Sequence, residues 1–321
     1  KKAKQANSPA RLDFSPRFLG WSLFMNQSED VGATDDREKA IRLLNRQLKF
    51  RQAISHAIDR NALGQTLVRG PFSRPYAGGL YPEGVVNDSS VVYYGYNPKL
   101  AKDLLADVGL KDTDGNGIVN WIDGPMKGKD LEITMITPDG PGETSLSEGL
   151  VSMLREVGIK LIPRPMQGAQ VDAALGASAY DFFIRRNDNE YIQPIQLAEA
   201  LAPVHDQTPY WHKGTKEKPQ NLLPFEKELV SLINQFQHEP ELSKQLEILN
   251  KYNKVFTKNV YHVGLVSVPG ALILNKRLKN VPPGTPIMSF QWAEDSIMRE
   301  RIWIDPKSAP VEELMPGKLP E

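Results

Sequence analysis

The sequence contains no cysteine among its 321 residues. This absence excludes a disulfide framework, a thiolate metal site and a cysteine nucleophile, because each of them needs a thiol. No apolar stretch approaches the roughly 18–20 residues that a membrane-spanning helix needs. Basic and acidic residues number 39 each, so the basic excess typical of nucleic-acid-binding proteins is also missing. We therefore expect no nucleic-acid partner.

Signatures of catalysis are missing as well. The five histidines are scattered and show no HExxH spacing for zinc. There is no Gly-x-Ser-x-Gly motif for a serine nucleophile. The segment Gly140-Pro141-Gly142-Glu143 lacks the Lys-Ser/Thr pair that completes a phosphate-binding loop. We therefore expect a protein that is not an enzyme.

The spacing of apolar residues predicts strands that alternate with helices. The predicted strands are residues 18–26, 131–136, 159–162, 180–184, 260–268 and 271–274. The predicted helices are residues 35–46, 50–58, 98–108, 144–157 and 170–178, two within 223–257, and one capped by Asp59. This order predicts an α/β fold with a mixed, partly parallel sheet flanked by helices.

Three segments carry a resemblance to a known family. They are Phe50–Arg60, with the pattern R-Q-A-h-x-x-A-h-D-R, then Tyr96–Gly109, with Y-x-P-x-x-A-K-x-L-L-x-x-x-G, and Leu154–Leu161, with L-x-x-h-G-I-x-h. In order and spacing they resemble the family-5 extracellular solute-binding proteins. That family includes the oligopeptide- and dipeptide-binding proteins of ABC importers.

The resemblance implies a periplasmic-binding-protein-like lobe that is a fragment of a two-lobed clamp. It assigns residues 36–262 to the C-terminal ligand-binding lobe. Residues 1–35 and 263–321 would be crossover segments that belong to, or lead to, the first lobe. The chain opens on Lys1 rather than Met, which fits a processed chain or a fragment. A lone lobe cannot close a clamp.

The implied function is that of the substrate-binding component of an ABC importer. It would capture peptides or a related small polar solute in the periplasm and deliver them to the inner-membrane permease, as a monomer and without a required cofactor. Two alternatives remain: a non-transport relative that acts as a sensor or chaperone-like binder, and a hydrolase. The hydrolase is the weaker alternative, because the sequence offers no nucleophile–base pair.

The predicted ligand wall follows the strand that begins at Tyr180. In the peptide binders such a strand leads into a loop whose acidic residue meets the α-amino group of the peptide. Glu190 falls at the position of that acid, and Tyr191 also matches. The candidate ligand-binding residues are Arg185, Arg186, Asn187, Asp188, Glu190 and Tyr191. The two arginines depart from the family pattern and would suit a ligand carboxylate or phosphate. A solvated polar loop is the alternative.

A second motif lies in the loop of residues 112–123. It fits the calcium-loop template, with Gly117 at the sharp turn. The candidate ligands are Asp112, Asp114, Asn116, Ile118, Asn120 and Asp123. Against calcium, Asp123 is shorter than the usual bidentate Glu, and Gly124-Pro125 prevents a following helix. A structural Ca²⁺ site and a metal-free turn both remain open.

The aromatic segment Pro209-Tyr210-Trp211-His212-Lys213-Gly214 has two interpretations as well. Its rings would line the cleft, or they would pack a surface loop, and we favour packing. His56 lies within the predicted Arg-Gln-Ala helix, where a structural role is expected.

Overall fold

The chain forms two compact units, one of Lys1–Phe18 with Pro269–Glu321 and one of Leu19–Val268. A computed structural model describes residues 8–14, 19–68, 70–80, 90–188, 202–283 and 299–306. The lobe predicted for 36–262 lies within the second unit, which extends further at both ends. Its role as the ligand-binding lobe stays a prediction.

The helices follow the predicted order. They are α1 (Asp36–Asn45), α2 (Leu48–His56), α3 (Arg60–Leu67), α4 (Pro98–Asp107), α5 (Pro141–Glu156), α6 (Gly168–Gly176), α7 (Pro224–His238) and α8 (Leu242–Lys258). A short 3-10 helix spans Arg299–Arg301. Among the described residues, no helix combines the length and the apolar character needed to cross a membrane.

The strands include all those predicted and several short ones. They are β1 (Ala10–Phe14), β2 (Leu19–Met25), β3 (Arg74–Pro75), β4 (Leu110–Lys111), β5 (Asn120–Trp121), β6 (Glu132–Pro138), β7 (Lys160–Met166), β8 (Phe182–Asp188), β9 (Val263–Val268), β10 (Ala271–Asn275), β11 (Leu278–Lys279) and β12 (Trp303–Ile304). In the first unit, β1 pairs with β10 and β11 pairs with β12, both antiparallel.

A six-stranded sheet organises the second unit, in the order β3-β9-β2-β8-β6-β7. Strand β6 is parallel to both β7 and β8, while β2 is antiparallel to β8 and β9, and β3 is antiparallel to β9. The predicted mixed sheet flanked by helices is confirmed.

Each face of this sheet is covered by its own apolar core. Successive side chains of a strand point to opposite faces, so β2 sends Leu23 and Met25 into one cluster and Phe24 into the other. The first cluster includes the buried leucines of α5. The second includes apolar residues of α6, α7 and α8. The helices therefore cover both faces of the sheet.

Helix starts are set by capping residues. The side chains of Asp35, Asp59 and Asn97 accept hydrogen bonds from the first-turn N–H groups of α1, α3 and α4. After α4, Gly109 takes a φ of +83°, a left-handed conformation that stops the helix at little cost for glycine. These signals are local, which is why the sequence predicts these helices well.

The strand predicted for 180–184 was placed too early and made too short. In the structure β8 begins at Phe182 and continues through Asp188. Residues Arg185, Arg186, Asn187 and Asp188 were expected in a loop and are instead strand residues. The cause is β2, whose residues Leu19–Met25 pair with β8 along its whole length. Strand β2, expected in a crossover segment, is a central strand of the sheet.

The segment that leads from β3 to Leu80 is fastened to the core by buried side chains. The Nε2 atom of His262 accepts a hydrogen bond from the N–H of Gly79 at 2.9 Å, and Oδ1 of Asn253 accepts one from Leu80 at 3.0 Å. Burial lowers the pKa of His262 to about 3, so its ring is neutral at ordinary pH. These two bonds therefore hold the backbone at Gly79 and Leu80 in a fixed position beside the core.

Candidate functional site

The carboxyl ends of three parallel strands meet at one edge of the large sheet. These strands are β6, β7 and β8. Because β2 and β9 run antiparallel, Leu19 at the start of β2 and Val268 at the end of β9 are neighbours at the same edge. Both ends of the second unit therefore lie there, and we call this place the carboxyl edge.

The carboxyl edge contains a topological switch point between the parallel strands β6 and β8, because the chain segments that follow these strands pack on opposite faces of the sheet. From β6 the chain enters α5, which packs through Leu146 and Leu150 on one face of the sheet. After β8 the chain reaches Ala202 and Trp211, which pack on the opposite face. In open α/β sheets, ligands bind in the crevice outside such a point. The topology therefore marks the ends of β6 and β8 as the candidate site.

The predicted wall residues lie partly at this place. Arg185 and Arg186 are exposed side chains in the carboxyl-terminal half of β8. Asn187 and Asp188 belong to the last part of the same strand. Glu190 and Tyr191 lie outside the described residues. Their role in ligand binding stays a prediction.

Arg185 is held over an aromatic ring. Its guanidinium lies 5.7 Å from the centre of the Tyr210 ring, a cation–π arrangement. Burial raises the pKa of the Tyr210 hydroxyl to about 12, although Arg185 lowers it in part. Ser22 of β2 lies directly opposite Arg185 in the strand pair. Among the described residues, the buried hydroxyl of Ser22 has no hydrogen-bond partner.

A second polar pair lies on the other face of the carboxyl edge. The indole Nε1 of Trp21 donates a hydrogen bond to Oε1 of Glu143 at 2.9 Å. Glu143 stands in the first turn of α5, and Trp21 pairs with Arg186 across β2 and β8. The carboxyl edge therefore presents an oriented carboxylate on one face and an oriented guanidinium on the other.

The residues that begin the wall strand in the family pattern are structural. The hydroxyl of Tyr180 donates to the carbonyl of Tyr210 at 2.9 Å. The carboxylate of Asp181 accepts from Arg37 at 2.7 Å and from the N–H of Thr134 at 2.9 Å. These bonds fix the start of β8 and the loop around Tyr210, and so position the residues further along the strand.

The aromatic segment after the wall is divided between packing and the site. Trp211 and His212 are buried, as the packing interpretation expects. The Nδ1 atom of His212 lies 2.6 Å from Oε1 of Glu226, and Tyr261 donates to the same oxygen at 2.5 Å. Tyr210 alone of the three neighbours Tyr210, Trp211 and His212 reaches a candidate site residue, Arg185.

The loop predicted to bind calcium forms the turn of the β4–β5 hairpin. The carboxylate of Asp112 accepts N–H bonds from Gly115 at 2.7 Å and Gly117 at 3.0 Å. These bonds hold the pKa of Asp112 below its ordinary value, with Gly115 the largest influence. The carboxylate of Asp112 therefore accepts hydrogen bonds from the backbone of the turn, an arrangement that a metal-free turn would also have.

Of the other candidate calcium ligands in this loop, Asn116 and Asn120 lie together, and Asp123 lies apart from them. Asn116 and Asn120 both donate to Asp130, a carboxylate outside the template, at 3.2 and 2.7 Å. Asp123 instead lies beside Gly109, at the other end of the hairpin ladder. No described group of three or more His, Cys, Asp or Glu side chains could hold a metal ion. The calcium site, with Asp114 and Ile118 as further ligands, stays a prediction.

The structure also contains a cavity of about 500 Å³ away from the carboxyl edge. Its lining includes Lys102, Lys111, Asp112 and Arg155, beside the amino end of β7. Its lining side chains carry charges of both signs. We place the candidate site at the carboxyl edge because the chain topology and the oriented polar pairs coincide there.

Comparison with known proteins shows the family. The family model for "Bacterial extracellular solute-binding proteins, family 5 Middle" matches residues 1–206 of this chain. The chain belongs to this family. The resemblance drawn from the three sequence motifs is thereby confirmed. As a family-5 solute-binding protein, the chain has relatives with named ligands.

Three relatives bear on the ligand. A periplasmic alpha-galactoside-binding protein of Rhizobium meliloti (strain 1021) is 41% identical over 323 residues, covering 100% of this chain and 47% of the relative. The solved structure of the periplasmic binding protein MelB of agrobacterium fabrum C58, in complex with stachyose, is 40% identical with a TM-score of 0.85 and covers 98% of this chain and 47% of that one. The oligopeptide-binding protein AppA of Bacillus subtilis (strain 168) is 26% identical over 140 residues, covering 42% of this chain and 24% of the relative.

The family-5 chain described here spans about half the length of the alpha-galactoside-binding relative. Its family motifs turn out to be structural. The guanidinium of Arg51 donates to the carbonyls of Asn259 and Asn45, both at 2.9 Å. The Nδ1 atom of His56 lies 2.6 Å from the carbonyl of Gly95. Arg51 and His56 of the first family motif therefore hold backbone segments of the fold in place.

Sequence reasoning missed three residues of the carboxyl edge, namely Trp21, Ser22 and Glu143. Trp21 and Ser22 were taken only as part of an apolar strand. Glu143 was considered only as part of a failed phosphate loop. The available signal was its place directly after strand β6, since the carboxyl end of a parallel strand is where ligand-contacting residues gather.

Proposed function

We propose that the chain forms part of a periplasmic solute-binding protein that captures an oligosaccharide of the α-galactoside type and delivers it to an inner-membrane ABC permease. The observation that carries this proposal is the 41% identity, over the whole chain, with an alpha-galactoside-binding protein. The oligopeptide-binding relative matches less than half of the chain. The peptide expected from the sequence motifs therefore gives way to a saccharide.

The polar groups of the carboxyl edge support an uncharged, hydroxyl-rich ligand. Saccharide hydroxyls both donate and accept hydrogen bonds. The guanidinium of Arg185 can only donate, while the carboxylate of Glu143 can only accept. Both groups are already oriented by neighbours, Tyr210 and Trp21 respectively. Oriented groups lose less conformational entropy on binding, which favours affinity.

The proposed role involves no chemical step. Affinity would come from burial of the ligand between this edge and a second wall, with a few polar groups that set its orientation. Closure of two lobes around the ligand would give the permease a state that differs from the unliganded protein.

Isothermal titration calorimetry of the protein at its natural length tests this function. We expect stachyose to bind with a Kd of about 1 μM or lower, equivalent to a binding free energy of roughly −8 kcal/mol or more negative. We expect no measurable heat from trialanine at the same concentration. Binding of trialanine without binding of stachyose would contradict the proposal and restore the peptide hypothesis.

A pair of arginine variants locates the site in the same experiment. Arg185→Ala should weaken stachyose binding, because it removes the guanidinium held over Tyr210. Arg155→Ala, an exposed change near the end of α5 and away from the carboxyl edge, is the matched control and should leave the Kd unchanged. Equal Kd values for the wild type and Arg185→Ala would remove Arg185 from the site.

A further inference from the structure

Among the residues that the structure describes, Glu143 has a hydrogen-bond donor at one carboxylate oxygen only. Oε1 accepts the hydrogen bond from Trp21. Among the described residues, no donor is recorded at hydrogen-bond distance from Oε2. A Cβ atom at Gly140 would lie 2.7 Å from Oε2, so this oxygen lies close against the backbone of Gly140. Within the described part of the chain, the side chain is therefore oriented by the bond to Oε1 and has no donor to Oε2.

Trp21 fixes the direction of this carboxylate. Its ring is 7% exposed and belongs to the apolar core on the α5 face of the sheet. A buried indole has few rotamers available, so its N–H is a rigid donor at the rim of the core. The hydrogen bond to Oε1 therefore leaves Oε2 in a defined place at the carboxyl edge.

The position of Glu143 places it beside the topological switch point between β6 and β8. Strand β6 ends at Pro138, and Glu143 lies in the first turn of the helix that follows. The neighbouring parallel strand β8 carries Arg185 and Arg186 toward the same edge. Glu143 thus flanks the crevice from the β6 side, opposite the predicted wall residues.

We propose that Glu143 is a ligand-contacting residue, accepting a hydrogen bond from a saccharide hydroxyl through Oε2, and that Trp21 is its positioning residue. This inference rests on the proposed function and names the group that selects for hydroxyl donors. A hydrogen bond to an ionised acceptor is stronger than one between neutral groups. Glutamine at this position would keep the shape and lose the charge.

The test is stachyose titration of the natural-length protein and its Glu143→Gln variant. We expect the Kd to rise about tenfold, equivalent to about 1.4 kcal/mol. The control is Glu148→Gln, which removes an exposed carboxylate further along α5 and should leave the Kd within twofold. The melting temperature of each variant shows whether it is folded.

Trp21→Phe separates a positioning role from a packing role. Phenylalanine keeps an aromatic ring in the core and removes the indole N–H. We expect it to weaken stachyose binding in the wild-type background and to have little further effect in Glu143→Gln, because the two residues act through one contact. Independent, additive effects would overturn the positioning role of Trp21.

The outcomes distinguish the inference from the proposed function. Stachyose binding by the wild type with an unchanged Kd for Glu143→Gln would overturn the role of Glu143 alone. An equal loss of affinity in Glu148→Gln would also overturn it, since a general effect of charge would then suffice. Absence of stachyose binding by the wild type would overturn the proposed function together with this inference.

Discussion

Replacement of Arg60 by lysine is expected to lower the free energy of unfolding by about 3–5 kcal/mol. Arg60 is buried at the first turn of α3 and acts as a hub of hydrogen bonds. Its Nε donates to the carbonyls of Tyr76 at 3.2 Å and Gly264 at 2.7 Å. Its Nη1 donates to the carbonyls of Ser55 at 3.1 Å and Tyr94 at 3.2 Å. Its Nη2 donates to the hydroxyl of Ser55 at 2.8 Å.

Lysine cannot replace this arrangement because its ammonium offers three donors from a single point. Several buried carbonyls would lose their partners, and each unsatisfied group costs about 1–3 kcal/mol. Urea-induced unfolding followed by tryptophan fluorescence measures the change. Arg164→Lys, at an exposed position, is the matched control and should stay within about 0.5 kcal/mol of wild type. A similarly small effect of Arg60→Lys would contradict the hub.

Replacement of Glu226 by glutamine should lower the free energy of unfolding by about 2–4 kcal/mol. The buried carboxylate accepts from His212 and Tyr261 on Oε1, and from the N–H of Leu223 on Oε2 at 2.7 Å. Arg46 Nη1 lies 3.1 Å from Nε2 of His212, so Nε2 accepts and Nδ1 carries the hydrogen. Glutamine would present an NH₂ group to one of these donors.

We also expect the stabilising effect of Glu226 on the free energy of unfolding to depend on pH. Burial opposes its ionised form, but the bonds from His212, Tyr261 and Leu223 outweigh burial, so the pKa of Glu226 is lowered. Its contribution is therefore present above the unfolded pKa, about 4.3, and is lost as pH falls through the folded pKa. The difference in free energy of unfolding between wild type and Glu226→Gln should therefore narrow as pH falls below about 4.3.

The control for this prediction lies on the same helix. Glu228→Gln removes an exposed carboxylate two residues further along α7. Its free energy of unfolding should stay close to that of wild type at every pH, because solvent-exposed charges contribute little. A constant gap between wild type and Glu226→Gln over the acid range would show that ionisation of Glu226 does not stabilise the fold.

Features that depend on neighbouring residues could be predicted from the sequence. Helix α4 is an example, because Asn97 caps its start and Gly109 ends it through contacts within the segment itself. Strand β8 is the counterexample. Its extension to Asp188 depends on pairing with β2, which is far away along the chain. Sequence periodicity contains no direct signal for such a partner.

The candidate site was predictable only in part for the same reason. Arg185 and Arg186 were found by position in a family pattern, although they lie in a strand rather than a loop. Glu143 was missed because its significance comes from the adjacent ends of β6 and β8 and from its bond to Trp21. Neither relation is visible in the spacing of residues along the chain.

The ligand could not be predicted from the family motifs. Their conspicuous side chains, Arg51 and Arg60, bind backbone carbonyls within the core. They are therefore compatible with any ligand that the edge residues select. A fold supports many specificities, and function has to be argued from the site.

A crystal structure of the natural-length protein with stachyose tests the central claim most directly, namely that the carboxyl edge of the six-stranded sheet is a saccharide-binding wall. We expect saccharide hydroxyls within hydrogen-bond distance, about 3.2 Å or less, of Arg185 and Glu143. A saccharide bound beside Lys102 and Arg155, or away from the ends of β6 and β8, would contradict it.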